Sequence, residues 1–437
     1  MLGGMELGIV AGEASGDRQA AALVEELRAR HADWHFFGCG GERMRQAGCE
    51  LLLDARQLSL LGLAEVVRHL PRLYRLYRRL WKEIARRRPR ALVLVDFPDF
   101  NLRLARRAAA AGIPVIYFIS PQVWAWRPGR VRLLRRTVRR MICIFPFETA
   151  FYARHGMAAD FVGHPLTEQI KRQEAGCAEF LHQAGCAANR PVVALLPGSR
   201  RRELEFHLPV LAAAARRLYA ERQIHFLLPV APGLELASAE RQLERPDQKF
   251  IHLLAGQSER ALTCAQVAVV ASGTATLEAA LLETPSLVVY RLSRWTYWLG
   301  RRLVRTPYIA MPNLILGAPV LPELIQNDFT PEAVVNWVRK LLDEPATRQQ
   351  MADRLAEVRE QLGPPGAIAR AADCLESELG TGPSNTAGTP GLHETDAPAQ
   401  KSGLYHNENH ASSFGYWFMP NGSPGGRGAG SDCAQHP

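Results

Sequence analysis

A chain of 437 residues, 47% hydrophobic and 22% charged, can bury a large core and exceeds what one ordinary core organises, so two domains are expected. Its 53 Lys+Arg against 43 Asp+Glu leave a formal charge of +10, which points to an anionic partner: phosphate groups, a nucleic acid or an acidic membrane face. The eight cysteines never lie closer than nine residues apart, which excludes a CxxC zinc or redox motif and a dense disulfide framework and fits a reducing compartment.

The first residues lack a basic segment followed by a long apolar one, so no secretory signal is expected; Glu6 to Ala11 reads instead as a strand. A helix follows with Ala20, Leu23, Val24 and Leu27 on one face, the opening of a βα unit. The pattern recurs with strands at 35–38, 91–96 and 114–119 and a helix at 101–111. Between them, Leu70, Leu73, Tyr77, Leu80 and Ile84 fall at helical spacing, with ten Lys/Arg over 68–90 against the single acid Glu83. This is a basic amphipathic helix. The uncharged stretch 108–126 is cut by Gly112, Pro114, Ser120, Pro121 and Gln122, so it predicts helix end, strand and loop rather than a membrane span.

The second half repeats the architecture, with strands predicted at 192–196, 225–229, 250–253, 267–271 and 286–290 and helices from about 331 to 379. Alternating apolar runs and helices imply α/β domains with parallel sheets covered on both faces. From 381 on, ten Gly and six Pro in 57 residues predict disorder.

Ligands of open parallel sheets bind beyond the carboxyl ends of strands, and five such ends carry unusual residues. Gly12, Glu13, Ser15, Gly16 and Asp17 form a small-residue turn into a helix, which is either an anion or sugar seat or a start capped by Ser15 or Asp17. Asp96 ends a strand and Asp99 and Asn101 follow it; Asp99 has an alternative role as a helix cap, whereas Asp96 is placed to accept a proton or to make an ion pair. Gln122, Trp124 and Trp126 follow the next strand, where the indoles either line a pocket or pack. Gly198, Ser199 and Arg200, with Glu203 behind them, suit phosphate oxygens but are not a P-loop. Ser272, Gly273 and Thr274 lead into a helix bearing Glu278, which suits ribose hydroxyls or the helix dipole. No linear Cys/His ligand motif occurs, so no metal and no cofactor is assigned.

Two surfaces read as membrane-facing. Leu60, Leu61, Leu63 and Val66 precede or open the basic helix bearing Arg68 and Arg72, and Trp295, Tyr297 and Trp298 interleave with arginines. Core packing suits those leucines equally, and aromatic-basic interleaving also suits nucleic acid.

Taken in order, GEASGD at 12–17, DFPDFN at 96–101, SPQVWAWR at 120–127, FPFE at 145–148, GHP at 163–165, LLPGSRRRE at 195–203, SGTATLE at 272–278, YR at 290–291 and MPN at 311–313 resemble the lipid-A-disaccharide synthases over about residues 5–375. Phe97 departs from the smaller residue usual in that pattern. The resemblance implies a GT-B glycosyltransferase: two Rossmann-like domains with parallel sheets facing a central cleft, an acceptor-side domain over 1–170 and a UDP-sugar-binding domain over 171–345. Helices over 346–380 and a disordered tail over 381–437 complete the expectation.

It further implies an inverting transfer from UDP-2,3-diacylglucosamine to 2,3-diacylglucosamine 1-phosphate (lipid X), at the anionic inner face of the inner membrane of a Gram-negative cell, by a cytoplasmic, peripheral enzyme that binds no nucleic acid. Asp96 would be the general base. Arg200, the 272–274 turn, Glu278 and Asn313 would hold the nucleotide, while Gly12 to Asp17 and Gln122 to Trp126 would face the acceptor or the cleft. The rival readings are a UDP-N-acetylglucosamine 2-epimerase of the same architecture and a basic nucleic-acid-binding protein.

Overall fold

The computed structural model describes residues 4–59, 63–126, 128–187, 189–293, 296–298 and 306–381. Seven strands, β1 (Glu6–Ala11), β2 (His35–Gly40), β3 (Glu50–Asp54), β4 (Ala91–Val95), β5 (Val115–Phe118), β6 (Arg140–Cys143) and β7 (Asp160–Phe161), form one sheet in the order 3-2-1-4-5-6-7. Six more, β8 (Val192–Leu196), β9 (His225–Val230), β10 (Ile251–Ala255), β11 (Val267–Ala271), β12 (Ser286–Tyr290) and β13 (Glu323–Ile325), form a second in the order 10-9-8-11-12-13. Every described pairing is parallel.

The central strands are buried along their whole length, as ALVLV (β4), VVALL (β8) and VAVVA (β11) require. Continuous β-branched and leucine runs suit strands covered on both faces. Helices supply that cover: Leu23, Val24 and Leu27 of helix Ala14–Arg30 and Leu204, Leu208 and Leu211 of helix Arg201–Arg222 are all buried. Strand order reverses between β1 and β4 in the first sheet and between β8 and β11 in the second. A crevice opens at such a switch point, because the flanking connections leave in opposite directions. The segments after these four strands are those at 12–17, 96–101, 197–200 and 272–278.

The chain crosses between the sheets twice. Residues 162–170 lead out of the first sheet, and helix Ala367–Leu379 returns to pack on helix Ala14–Arg30 after helix Pro345–Gln361 has packed on the second unit. Ion pairs of Arg30 with Asp373 and Glu376 fix the return. Cys177 and Cys264 form a disulfide, a pairing 87 residues apart that their linear spacing does not reveal and a departure from the expectation of reduced cysteines.

The 381–437 tail lies outside the described residues from 382 on, as do Leu60, Leu61 and Trp295. Leu63, Val66, Arg68 and Arg72 lie on helix Leu63–Arg87. Among the described residues no helix is long and apolar enough to cross a membrane.

Candidate active site

A cavity of about 600 Å³ lies between the two sheets. Glu13, Ala14, Ser15, Arg18 and Arg43 wall it from the first unit; Gly198 to Arg200, Ser272 to Ala275, Ser258 and Glu278 wall it from the second. The turns expected at three strand ends therefore meet in one space.

Local sequence explains the walls. Helix Ala14–Arg30 starts after Glu13 with no side-chain cap, so neither Ser15 nor Asp17 caps it. Its first amides lack intrahelical acceptors and lie at the cavity. Asp17 instead turns away: its carboxylate accepts from the backbone N–H groups of Gly41 (2.6 Å), Arg43 (3.2 Å) and Met44 (3.2 Å). It thereby holds the start of the short helix Glu42–Gln46, whose Arg43 lies at the cavity. Gly12 is required by its neighbour, since a β-carbon there would stand 2.2 Å from the Phe97 ring. The Gly16 position, by contrast, would place one at ordinary contact distance.

On the second unit, Glu203 is buried and its Oε2 accepts from the N–H groups of Ser199 (2.9 Å) and Arg200 (3.2 Å). Glu203, which also lines the cavity, is thus the N3 member of a capping arrangement and an anchor for Arg200 Nη1 at 3.1 Å. Gly198 sits at φ 120°, and a β-carbon there would strike Glu203. Ser272 donates from Oγ to the Ile309 carbonyl at 2.9 Å, leaving Gly273 and Thr274 at the cavity edge. Glu278, also on the wall, has its carboxyl raised by burial and accepts from Ser258 Oγ.

Asn313 is not among the residues that wall the cavity. It is fully buried, its Nδ2 donates to the Leu321 carbonyl and to Glu323, and its Oδ1 accepts from the Leu321 N–H at 2.8 Å. Those bonds fasten helix Met311–Leu316 to β13 and to the segment before it. Asp99 is exposed and paired with Arg130. Asn101 is buried, and its amide donates to the carbonyls of Val95 (3.2 Å) and Asp96 (2.8 Å), so it supports the turn.

Asp96 is not among the residues that wall the cavity, but it lies within electrostatic reach of Glu13, which is. Burial first, then the nearby Glu13 charge, pushes its carboxyl up to about 8. A third carboxylate, Glu148, adds to that repulsion and is itself pushed up to about 7 by burial. Trp124 Nε1 donates to Glu148 Oε1 at 3.1 Å, which links the SPQVWAW loop to the acidic cluster. Burial likewise raises Glu13, and Arg200 across the cavity opposes it. Gln122 is partly exposed, and Trp126 ends the short helix Val123–Trp126.

Sequence reasoning missed Glu148, Arg18, Arg43, Ser258 and Glu259. The signals existed for two of these positions: Glu148 closes FPFE, and Ser258 follows a predicted strand end. Arg18 and Arg43 had none, because only folding turns them toward the cavity.

A lipid-A-disaccharide synthetase family model matches residues 7–373. The lipid-A-disaccharide synthase of Myxococcus xanthus is 44% identical over 368 residues, covering 84% of this chain and 96% of that one. That of Koribacter versatilis is 44% identical over 355 residues, covering 81% and 92%. Among solved structures, the calicheamicin glycosyltransferase CalG4 matches with a TM-score of 0.51 at 19% identity, covering 87% and 99%. The UDP-GlcNAc 2-epimerase of Neisseria meningitidis, bound to UDP-GlcNAc, matches with a TM-score of 0.56 at 12% identity, covering 85% and 100%. These two likenesses concern the fold, two facing Rossmann-like units of GT-B type.

Proposed function

The chain belongs to the lipid-A-disaccharide synthase family and is a glycosyltransferase of lipid A biosynthesis, and from that premise we propose that its central cavity joins UDP-2,3-diacylglucosamine to 2,3-diacylglucosamine 1-phosphate. The products are lipid A disaccharide 1-phosphate and UDP. The observation that carries the site reading is the meeting of the Glu13 loop, Arg200 and the Ser272–Thr274 turn around one space, with Asp96 close enough to Glu13 to feel its charge.

The acceptor hydroxyl attacks the donor's anomeric carbon from the side opposite UDP, which inverts that centre. As the new C–O bond forms, the hydroxyl proton passes to the carboxylate of Asp96 and the bond to the diphosphate oxygen breaks. The charge left on UDP is met by the Arg200 guanidinium and by the amide-rich start of helix Thr274–Leu281. Glu278 is placed for ribose hydroxyls. Glu13 raises the proton affinity of Asp96 and borders the acceptor.

The enzyme sits peripherally on the inner face of the inner membrane. Helix Leu63–Arg87 supports this reading, because it combines an exposed Tyr74 with basic residues.

The test is UDP release with the donor, in the presence and absence of the 1-phosphorylated diacylglucosamine. Release should require the acceptor; turnover of the UDP-sugar alone would favour epimerase chemistry. Asp96→Asn should retain fold and UDP binding and lower turnover by about 10² or more. A near-normal rate would shift the base to Glu13, the carboxylate that walls the cavity from the first unit.

A further inference from the structure

Away from the cleft, folding collects three side chains that the sequence keeps well apart. Cys186 follows helix Cys177–Gln183, His225 opens β9, and His252 lies in β10. His252 pairs opposite Leu227, so strand alternation puts His225 and His252 on one face of the sheet. Their rings stack with centroids 5.1 Å apart and 19° between planes, and His225 Nδ1 lies 2.8 Å from His252 Nε2. One ligand atom from each of Cys186, His225 and His252 lies within 4.8 Å of the other two.

We propose that Cys186, His225 and His252 form a binding site for a soft divalent cation of the zinc type, separate from the glycosyl-transfer site. A thiolate with two imidazoles is a donor set that favours zinc over magnesium or calcium. Zn–N bonds of about 2.0–2.1 Å in a tetrahedron set two ring nitrogens about 3.3 Å apart, so the imidazoles need separate by only about half an ångström. The ion replaces the hydrogen bond between the rings. Cys186 and His225 are buried whereas His252 is partly open, which gives the ion an entry path and water a fourth position. On binding, the Cys186 thiol gives its proton to solvent, one per ion.

The position decides the role. His225 begins β9, whereas Pro229 and Val230 at the other end of that strand line the cavity. The ion therefore lies at the end of the sheet remote from substrate and fixes the turn after helix Cys177–Gln183 to that edge. The same helix is bonded at its start through Cys177 to Cys264.

The test uses the full-length chain freed of metal by chelation and titrated with Co²⁺ alone, whose thiolate charge-transfer absorption reports a cysteine ligand. One equivalent should develop the band, and Zn²⁺ should abolish it by displacement. Cys186→Ser should lose the band while keeping UDP release unchanged. His252→Gln, at a partly open position, should fold and bind Co²⁺ about tenfold more weakly or worse. Absence of the band in folded wild-type protein, or its survival in Cys186→Ser, overturns the assignment. Unchanged affinity in folded His252→Gln does so as well.

Discussion

Asp96 and Phe97 both hold left-handed backbone, at φ 46° and 48°, a region where a β-carbon crowds the chain. Surrounding bonds maintain it: the Asn101 amide and the Tyr117 hydroxyl, the latter at 2.6 Å, both donate to the Asp96 carbonyl. Strain of this kind persists where neighbours over-determine the geometry, and here it falls at a carboxylate within electrostatic reach of two others. Because burial and Glu13 raise Asp96 to about 8, the proton-accepting form grows as pH rises, so kcat/KM should climb through neutral pH and level off above about 8. Glu13→Gln removes one repelling charge, lowers the proton affinity of Asp96 and should move that limb to lower pH; an unmoved limb would separate the two groups. Phe97 has a different cost, since its ring occupies the space a side chain at position 12 would need. Gly12→Ala should destabilise the protein by about 1–3 kcal/mol in denaturant melts, and adding Phe97→Ala should recover part of it.

The elements that sequence revealed are those with long apolar runs. β1, β4, β8, β11 and β12 lie close to their predicted positions because hydrophobic continuity alone defines a strand buried on both faces. β7, of two residues, and β13, of three, carry no readable period and exist through hydrogen bonds to β6 and β12. The same division runs through the site. Loops after strands were legible because topology fixes where such loops go, whereas the use of each polar side chain was not. Glu203, Asp17 and Asn313 look alike in a motif, yet each is bonded to backbone within the fold. Helix Leu63–Arg87 has the amphipathic pattern expected, with Tyr77, Leu80 and Ile84 buried. The apolar residues leading into it are proposed to insert into lipid, so Leu61→Ser with Leu63→Ser should weaken partition onto anionic vesicles by about tenfold, measured by co-sedimentation. Unchanged partition of the folded variant would assign those leucines to packing.

At the scale of the whole molecule, the two chain crossings run side by side. His164 N–H donates to the Leu362 carbonyl at 2.9 Å, and Glu168 accepts from the N–H groups of Gly366 and Ala367. Arg359 reaches the carbonyls of Thr167, Ile170 and Leu281, and Arg370 reaches that of Val162. His164, whose imidazole burial holds down to about 3, stays neutral and accepts from the Leu166 N–H. A door on two pins swings but does not twist, and two crossings bonded side by side predict the same restraint for these lobes. Approach of the first unit's wall to the second unit's should then follow a single arc, with one angle describing how far the cavity is shut. Dyes at the exposed Glu42 and Glu235 should report one shorter distance when UDP-sugar is added, and a broad continuum of distances would mean that the pins do not hold.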